Sequence, residues 1–387
     1  MMKFIPVVVA MLGVLSVPVA NAKTSSYAGS QVCAQCHQPE YDAWKNSHHD
    51  KAMQSANEET VLGDFNNRSF SFEGVTSRFF RDGTRFMVET DGPDGELKTY
   101  SVAYTFGVTP LQQYLIRFPG GRLQPLGIAW DSRAGDDGGQ RWFHLYPEGG
   151  VDHTDQLHWT SRNQTWNYQC AECHSTDLKK NFSIAGDSYQ TVWKEINVGC
   201  EACHGAGSTH VTWAEMKARG EKPAVLENSG LLVSLKERDR ASWTIDPESF
   251  KPSRTEPRTD HTQLEVCARC HSRRGQISKT YQHGKPLADS HRLALLDESL
   301  YYPDGQIKDE VFVYGSFIQS KMFDAGVTCS DCHEPHSQKL RADGDAVCVR
   351  CHTPAKYAGE SHNKHPDSLR EITCASCHMP QRKFMVI

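Results

Sequence analysis

The chain has 387 residues, 42 lysines and arginines against 47 aspartates and glutamates, a formal charge of −5, and 38% hydrophobic residues. That length accommodates two ordinary domains. The acidic balance argues against a nucleic-acid partner, and so low an apolar fraction implies that something besides side chains fills the core.

In chain order, Lys3, the apolar run Phe4 to Val19 and the small-x-small site Ala20-Asn-Ala22 read as a secretory signal over residues 1–22, cleaved after Ala22. The run is shorter than the roughly 20 residues that span a bilayer, and nothing later looks transmembrane. An export address follows, periplasmic or extracellular, with no membrane anchor after cleavage. Residues 23–60 open with Cys33-Ala-Gln-Cys36-His37 and continue into a stretch with helical propensity from Pro39 to Met53, carrying Trp44 and His48 at i, i+4. Residues 61–160 hold no cysteine and form a β-rich insert. Short aromatic and β-branched runs (Ser69–Glu73, Arg78–Arg81, Arg85–Glu89, Leu97–Tyr104, Gln113–Phe118, then to Trp130) are separated by Asp82-Gly83, Asp94-Gly95 and Gly120-Gly121 turns, which predicts a meander of five to seven strands. Its expected role is a lid, with a docking surface as the alternative. Residues 161–218 carry Cys170/Cys173/His174 and Cys200/Cys203/His204, an amphipathic helix predicted near Tyr189 to Asn197, and another from Ser208 with His210 and Trp213. Residues 219–262, charged and rich in Pro and Ser, read as a surface connection. Residues 263–387 pack in four more motifs: Cys267/Cys270/His271, Cys329/Cys332/His333, Cys348/Cys351/His352 and Cys374/Cys377/His378.

Seven Cys-x-x-Cys-His motifs use all 14 cysteines, which leaves no thiol for a disulfide, a zinc site or a nucleophile. Structural zinc takes such pairs two at a time, which seven pairs cannot satisfy. The motif is the attachment signature of c-type haem: two thiols on one helical turn form thioethers, and the adjacent His is placed on the iron. The expectation is seven covalent haems c, roughly one per 50 residues, forming much of the core. The fold class expected is α+β: a haem-packed chain of short helices and irregular segments, with the β-rich meander inserted between haems 1 and 2. Two propionates per haem would take the charge to about −20, which suits a redox partner with a basic face.

Twelve histidines remain for the sixth iron position. His336 lies three residues past His333, a reach of about 10 Å at most, too short to pass round a macrocycle, so it would ligate a neighbouring iron. His210, close behind His204, and His48 or His49, behind His37, suit adjacent irons too. His362 and His365 precede the last motif; His261, His283 and His291 are further candidates, while His144, His153 and His158 stand even between ligation and packing. Met53 and Met379 would raise a potential if they ligated, although such residues usually fill cores. Mostly bis-His irons imply low potentials, which suit anaerobic respiration.

Cys33-Ala-Gln-Cys36-His37 with Trp44, Ser47, His49 and Met53 resembles the opening of the cytochrome c-554 and c-prime group of multihaem cytochromes. Cys200-Glu-Ala-Cys-His-Gly-Ala-Gly-Ser-Thr-His210, Cys329-Ser-Asp-Cys-His-Glu-Pro-His336 and Cys374-Ala-Ser-Cys-His-Met-Pro380 look like its later haem sites. The β-rich part, with Pro110-Leu-Gln-Gln-Tyr, Phe118-Pro-Gly-Gly-Arg and Gly139-Gln-Arg-Trp-Phe-His, resembles exported multihaem proteins in which this unit precedes tetratricopeptide repeats. No such array follows Lys383–Ile387 here, and whether the chain is complete there stays open. The resemblance implies electron transfer. Pentahaem nitrite reductases, relatives of the group, mark the catalytic haem with Lys in place of the motif His, which none of these seven does; the tyrosine crosslink of the eight-haem hydroxylamine oxidoreductases is not placed here. The function expected is electron transfer between redox partner proteins, cytochromes or a membrane quinol-oxidising complex. The alternative is an oxidoreductase acting on nitrite, hydroxylamine or a sulfur compound at a haem with an open distal face.

Overall fold

The computed structural model describes residues 25–236, 241–309, 312–364, 372–380 and 386–387. The signal segment and His365 lie outside the described residues. Among them no helix is long and apolar enough to cross a membrane.

The chain is a mixture of short helices and a large antiparallel sheet. Nine strands make it: β1 (Met53–Ser55), β2 (Arg68–Phe72), β3 (Val75–Asp82), β4 (Arg85–Asp91), β5 (Leu97–Phe106), β6 (Leu111–Phe118), β7 (Arg122–Pro125), β8 (Ile128–Asp131) and β9 (Arg141–His144). Their order is β2-β3-β4-β5-β6-β8-β9, with β1 on β5 and β7 on β6. The sheet curls until its edge strands meet, so that Phe72 of β2 stacks on His144 of β9 with ring centres 4.4 Å apart. Inside the curl Phe65, Phe79, Phe86, Tyr114, Ile116, Leu126, Trp130 and Trp142 form one core, and Phe79 lies flat on Trp142 at 3.7 Å.

Strand β6 joins this unit to the haem motifs because both of its faces are buried. Alternation sends Tyr114 and Ile116 into the curl and Leu115 outward, where it meets Met53, Phe106, Leu123, Trp166 and Ala171. Met53 is thus core filling.

Two helical expectations are corrected. The helix entering from Pro39 spans only α2 (Gln38–Trp44), because Lys45 is extended and Asn46 has φ 65, and Met53 begins a strand. Residues 189–197 are not helical: Val192 pairs with Lys179 and Glu195 with Thr176 as an extended ribbon, a geometry its β-branched and aromatic residues favour. The helix predicted from Ser208 forms over Ser208–Ala218. Residues 219–262 include a short hairpin, Trp243–Ile245 against Pro252–Arg254.

Candidate haem-binding site

Five of the motif segments begin or lie on short helices whose N-terminal positions carry the first cysteine or its neighbour: Ala171–His174, Cys200–His204, Cys329–Cys332, Ala346–Val349 and Cys374–His378. The first cysteine of the first motif lies in α1 (Ser30–Ala34), and the fourth motif closes Thr262–His271. All 14 thiols are free.

Tertiary structure brings thiols of different motifs into contact. Cys33 touches Cys200, Cys173 touches Cys270, Cys267 touches Cys329, and Cys374 touches Cys348. In the first pair the shared hydrogen bond raises the Cys33 thiol and lowers Cys200 to about 7. Cys203 is pushed up to about 12 by burial and by its neighbour Cys270, and Cys332 is raised by burial with Asp331, Cys351 and Cys348 adding. Motif 1 therefore abuts motif 3, motif 3 abuts 4, then 5, 6 and 7 follow, and motif 2 lies against motif 4.

The last motif is the most exposed of the seven. Cys377 is exposed, as is Cys36 of the first motif, whereas the other twelve thiols are half-buried. No residue of Cys374–His378 is buried. The helix meets the rest of the chain through Cys374, half-buried against Cys348 and Asp345, while the four residues after it, Cys377 and His378 included, face solvent.

The junction of motifs 1 and 3 is built by two carboxylates. Glu201, 1% exposed, accepts N–H bonds from Ala28 (2.8 Å), Gly29 (2.7 Å) and Gly207 (2.8 Å). Glu195 accepts from the Ser30 hydroxyl at 2.9 Å, and the Ser30 oxygen accepts from the Cys200 N–H at 3.0 Å. Gly205, at φ +73, turns the chain after His204 so that His210 faces back toward His37.

Three pairs of imidazoles stand with ring centres 6.2 Å (His37 and His210), 6.2 Å (His49 and His271) and 5.8 Å (His362 and His378) apart. Two metal–nitrogen bonds of about 2 Å, plus roughly 1 Å from each nitrogen to its ring centre, give about 6 Å between rings that share one iron. His204 sits below the usual imidazole range through burial, with His336 first among the histidines that add to this.

The other ring nitrogen of several of these residues is held by the chain, as ligating histidines require. Nδ1 of His174 lies 2.9 Å from the Ala52 carbonyl, that of His204 3.2 Å from Val233 O, and that of His210 3.1 Å from Ser229 O. Glu334 holds His336 at 2.9 Å, and the Gln338 amide lies 2.9 Å from Nδ1 of His49. None of these holders had a sequence signal, since they act through backbone carbonyls or lie outside any Cys-x-x-Cys-His motif.

The remaining candidates are placed elsewhere. Both nitrogens of His291 are engaged, by Glu172 (3.1 Å) and Ser290 (2.9 Å), in a fully buried site with Arg269 and Arg274, so neither is left for iron. His283 spends Nε2 on the Ala202 carbonyl at 3.0 Å. His261 is exposed and packs on Phe323, and His48 is exposed while its neighbour His49 is the one turned inward. Met379 is exposed, 69% of its surface open. His174, half-buried, meets Phe106 edge-on at 5.5 Å and faces no imidazole among the described residues. His352 meets Tyr357 edge-on at 5.4 Å.

The donor set fits haem. Buried donors without hydrogen-bond partners, Trp166 Nε1, Arg269 Nε and Tyr281 Oη, cluster around motifs 2 and 4, where propionate carboxylates would accept from them. Asp345, Cys348 and Cys374 also lie within 4.8 Å of one another, but both thiols belong to attachment motifs, and Asp345 is used to cap the Cys374 N–H at 2.9 Å.

Residues 32–69 and 144–205 match the family model of cytochrome c554 and c-prime, and residues 321–357 match a doubled CXXCH motif. The multiheme cytochrome MtrA of Shewanella baltica (strain OS185) is 35% identical over 60 residues, 14% of this chain and 18% of that protein, so the match spans under a fifth of the relative's length. Among solved structures the outer cell wall cytochrome OcwA shares the fold with a TM-score of 0.54 at 17% identity, over 91% of this chain and 77% of that one. The undecaheme cytochrome from the S-layer of Carboxydothermus ferrireducens gives 0.40 at 18% identity, over 92% and 51%. A mixed helix-and-sheet chain whose cysteines all fall in CXXCH motifs is a multihaem c-type cytochrome, with covalently bound haem c. Two of its segments, residues 32–69 and 144–205, are similar to the cytochrome c554 and c-prime family.

Proposed function

We propose that the chain holds seven haems c and serves as an electron-transfer protein passing single electrons between redox partner proteins. Bound haem supplies the one-electron iron couple. Each motif cysteine pair attaches one group, the exposed Cys377 with Cys374 at the surface end of the array, and His37, His174, His204, His271, His333, His352 and His378 ligate the irons. His210, His49, His336 and His362 are the opposite ligands for motifs 1, 4, 3 and 7, each from outside the motif it serves. The observation that carries this reading is the contact order of the thiols, which links all seven attachment points into one connected array with motif 2 as a branch on motif 4. An electron-transfer protein needs such continuity, whereas seven isolated sites would have no use for it. Intact mass of the mature protein should give seven haem adducts, and a paramagnetic-resonance redox titration should give mainly low-spin irons at low potential. Fewer adducts, or isolated irons that do not exchange electrons, would overturn the proposal. Export through the signal at residues 1–22 to the periplasm or cell surface, and service in anaerobic respiration with a cytochrome or quinol-oxidising partner, belong to the same proposal; a mature N-terminus at Lys23 checks the export step.

A second reading, an oxidoreductase for nitrite, hydroxylamine or a sulfur compound, is favoured by one observation: no described imidazole stands opposite His174. It predicts one high-spin iron whose signal shifts on adding nitrite, and turnover lost on changing His174.

A further inference from the structure

The curled sheet contains a cavity of about 140 Å³ that no haem motif lines. Phe70 and Phe72 of β2, His144 of β9 and the segment carrying His158 and Trp159 all contribute to its lining. The size is close to the roughly 150 Å³ that admits benzene in an engineered protein core.

Its walls are flat rings: Phe72 stacked on His144, with Phe70, Tyr146 and Trp159 around them. Among the polar groups of the lining, two are placed to pair with a ligand. The His144 ring has Nδ1 against the backbone of Tyr146, 3.2 Å from its N and 3.3 Å from its O, so either tautomer is satisfied on that side. Its Nε2 has no hydrogen-bond partner among the described residues and offers one donor or one acceptor to the cavity. Burial holds this imidazole below its ordinary range, and therefore neutral at pH 7. Opposite lies Asp91, whose carboxylate is bonded to His158 Nε2 at 2.9 Å and to the Thr90 hydroxyl at 3.1 Å, with further lone pairs to accept from a ligand. Glu73 and Asp152 also line the space, with His153 and His158 as the other ionisable groups besides His144 and Asp91, so carboxylates dominate the charge an anionic ligand would meet.

We infer that this cavity binds a neutral single-ring hydroxyaromatic compound, its ring between Phe72 and Trp159 and its hydroxyl paired with His144 Nε2 or Asp91. A hydroxyl suits the site because it donates and accepts, and so pairs with either tautomer of His144. The inference stands apart from the haem reading, because every residue in it belongs to the sheet unit and its flank.

Calorimetric titration of the haem-loaded protein with phenol tests this, with benzene and 4-hydroxybenzoate as comparisons. The expected result is 1:1 binding of phenol, benzene weaker by roughly fivefold or more for the loss of one hydrogen bond, and no binding of the anion. Gly127 lines the cavity, and a Cβ there would sit at ordinary contact, 3.4 Å from His144 Nε2 and 3.6 Å from Trp159 Cβ. Gly127→Leu should therefore fill the space and abolish phenol binding with the visible spectrum unchanged. His144→Phe keeps the stack and removes the nitrogen, and should bring phenol down to the affinity of benzene; it decides the matter if Gly127→Leu does not fold. No binding by the parent protein, equal affinity for phenol and benzene, or phenol binding that survives Gly127→Leu would each overturn the inference.

Discussion

Glu201→Ala is the substitution that most directly tests how motifs 1 and 3 are held together. The carboxylate is buried and accepts three backbone N–H bonds at 2.7–2.8 Å, two of them from the Ala28-Gly29 segment that leads into α1 and one from Gly207 ahead of His210. Alanine removes all three acceptors and leaves the donors enclosed. Hydrogen bonds to a charged group contribute about 1.5–3 kcal/mol each, but partial relaxation and water entry recover some of this, so the net loss should be about 3–6 kcal/mol. Glu201→Gln retains one acceptor oxygen but presents an NH2 to at least one N–H, and should lose about half as much. Denaturant unfolding followed in the Soret band measures the change in midpoint, and resonance spectra report whether the ligation predicted for His37 and His210 is disturbed. A loss under about 1 kcal/mol for alanine, or glutamine more harmful than alanine, would refute the reasoning.

Other outcomes follow from the same geometry. His210→Ala and His49→Ala should each convert one iron from low to high spin in a resonance count, while His48→Ala, at an exposed position, should convert none. His291→Leu should leave the spectrum unchanged yet cost about 2–4 kcal/mol in unfolding, because Glu172, the buried carboxylate that Arg269 and Arg274 also pair with, loses a hydrogen-bonding partner. Acid stability has two parts. Glu172 is held down to about 2, burial opposing but its bond to His291 and the two arginines prevailing, so its contribution is present above the usual pKa of 4.5 and is lost as pH falls from there toward 2. His283 is lowered to about 4, chiefly by burial and then by Arg269; a neutral buried imidazole loses its advantage as pH falls from 6.5 to about 4, where the unfolded chain binds the proton first. Unfolding midpoints measured from pH 8 to pH 3 should therefore fall in two stages, with the upper one smaller in His283→Gln. Chain made in an oxidising compartment without haem should form the Cys33–Cys200 and Cys173–Cys270 disulfides, because those thiols already touch, whereas the exposed Cys377 should stay open to alkylation; peptide mapping by mass would detect both.

Legibility in the sequence depended on whether the signal was local. The Cys-x-x-Cys-His segments, the β-rich run and the glycine turns are all written within a few residues, and the strands fall where alternation and Asp-Gly or Gly-Gly pairs place them. Strand β9 has no counterpart among the expected strands, because Arg141-Trp-Phe-His144 is too short to show a period. The extended ribbon at 189–197 was misread because its apolar spacing also fits a helix and only its pairing with residues 176–179 decides between them. A motif names its chemistry but not its depth: Cys377 and Cys173 stand in the same pentapeptide pattern, yet one faces solvent and the other lies against Cys270 and Arg274. Ligand choice is partly readable: chain reach keeps His336 from the iron of the motif it follows and favours the same for His210. That His49 rather than His48 turns inward, and that His291 belongs to Glu172, depends on residues far away in the chain. The carbonyls of Ala52, Ser229 and Val233 carry no side-chain identity at all, so no residue type could have announced them.

The two kinds of attachment proposed for each haem differ in range, and the difference bears on assembly. Both thioether cysteines and the adjacent His lie within five consecutive residues, so attachment needs only a local turn and can precede folding. The facing imidazoles do not share that locality. His210 meets His37 across the first half of the chain, and His49 reaches His271 across a longer stretch still. Closing such loops costs conformational entropy that grows only slowly with length, and each closure is stabilised by groups that join the same two regions, as Glu201 and Ser30 do for motifs 1 and 3. Ligation at the early motifs therefore reports tertiary structure, whereas His362 and His378 sit within one local segment. Partial unfolding should release the facing ligands at motifs 1 and 4 together and leave the last motif six-coordinate. Loss of low-spin signal in two stages along a denaturant titration, with the His362→Ala variant missing the later one, is the expected pattern; simultaneous loss at all irons would show that the local pair has no independence.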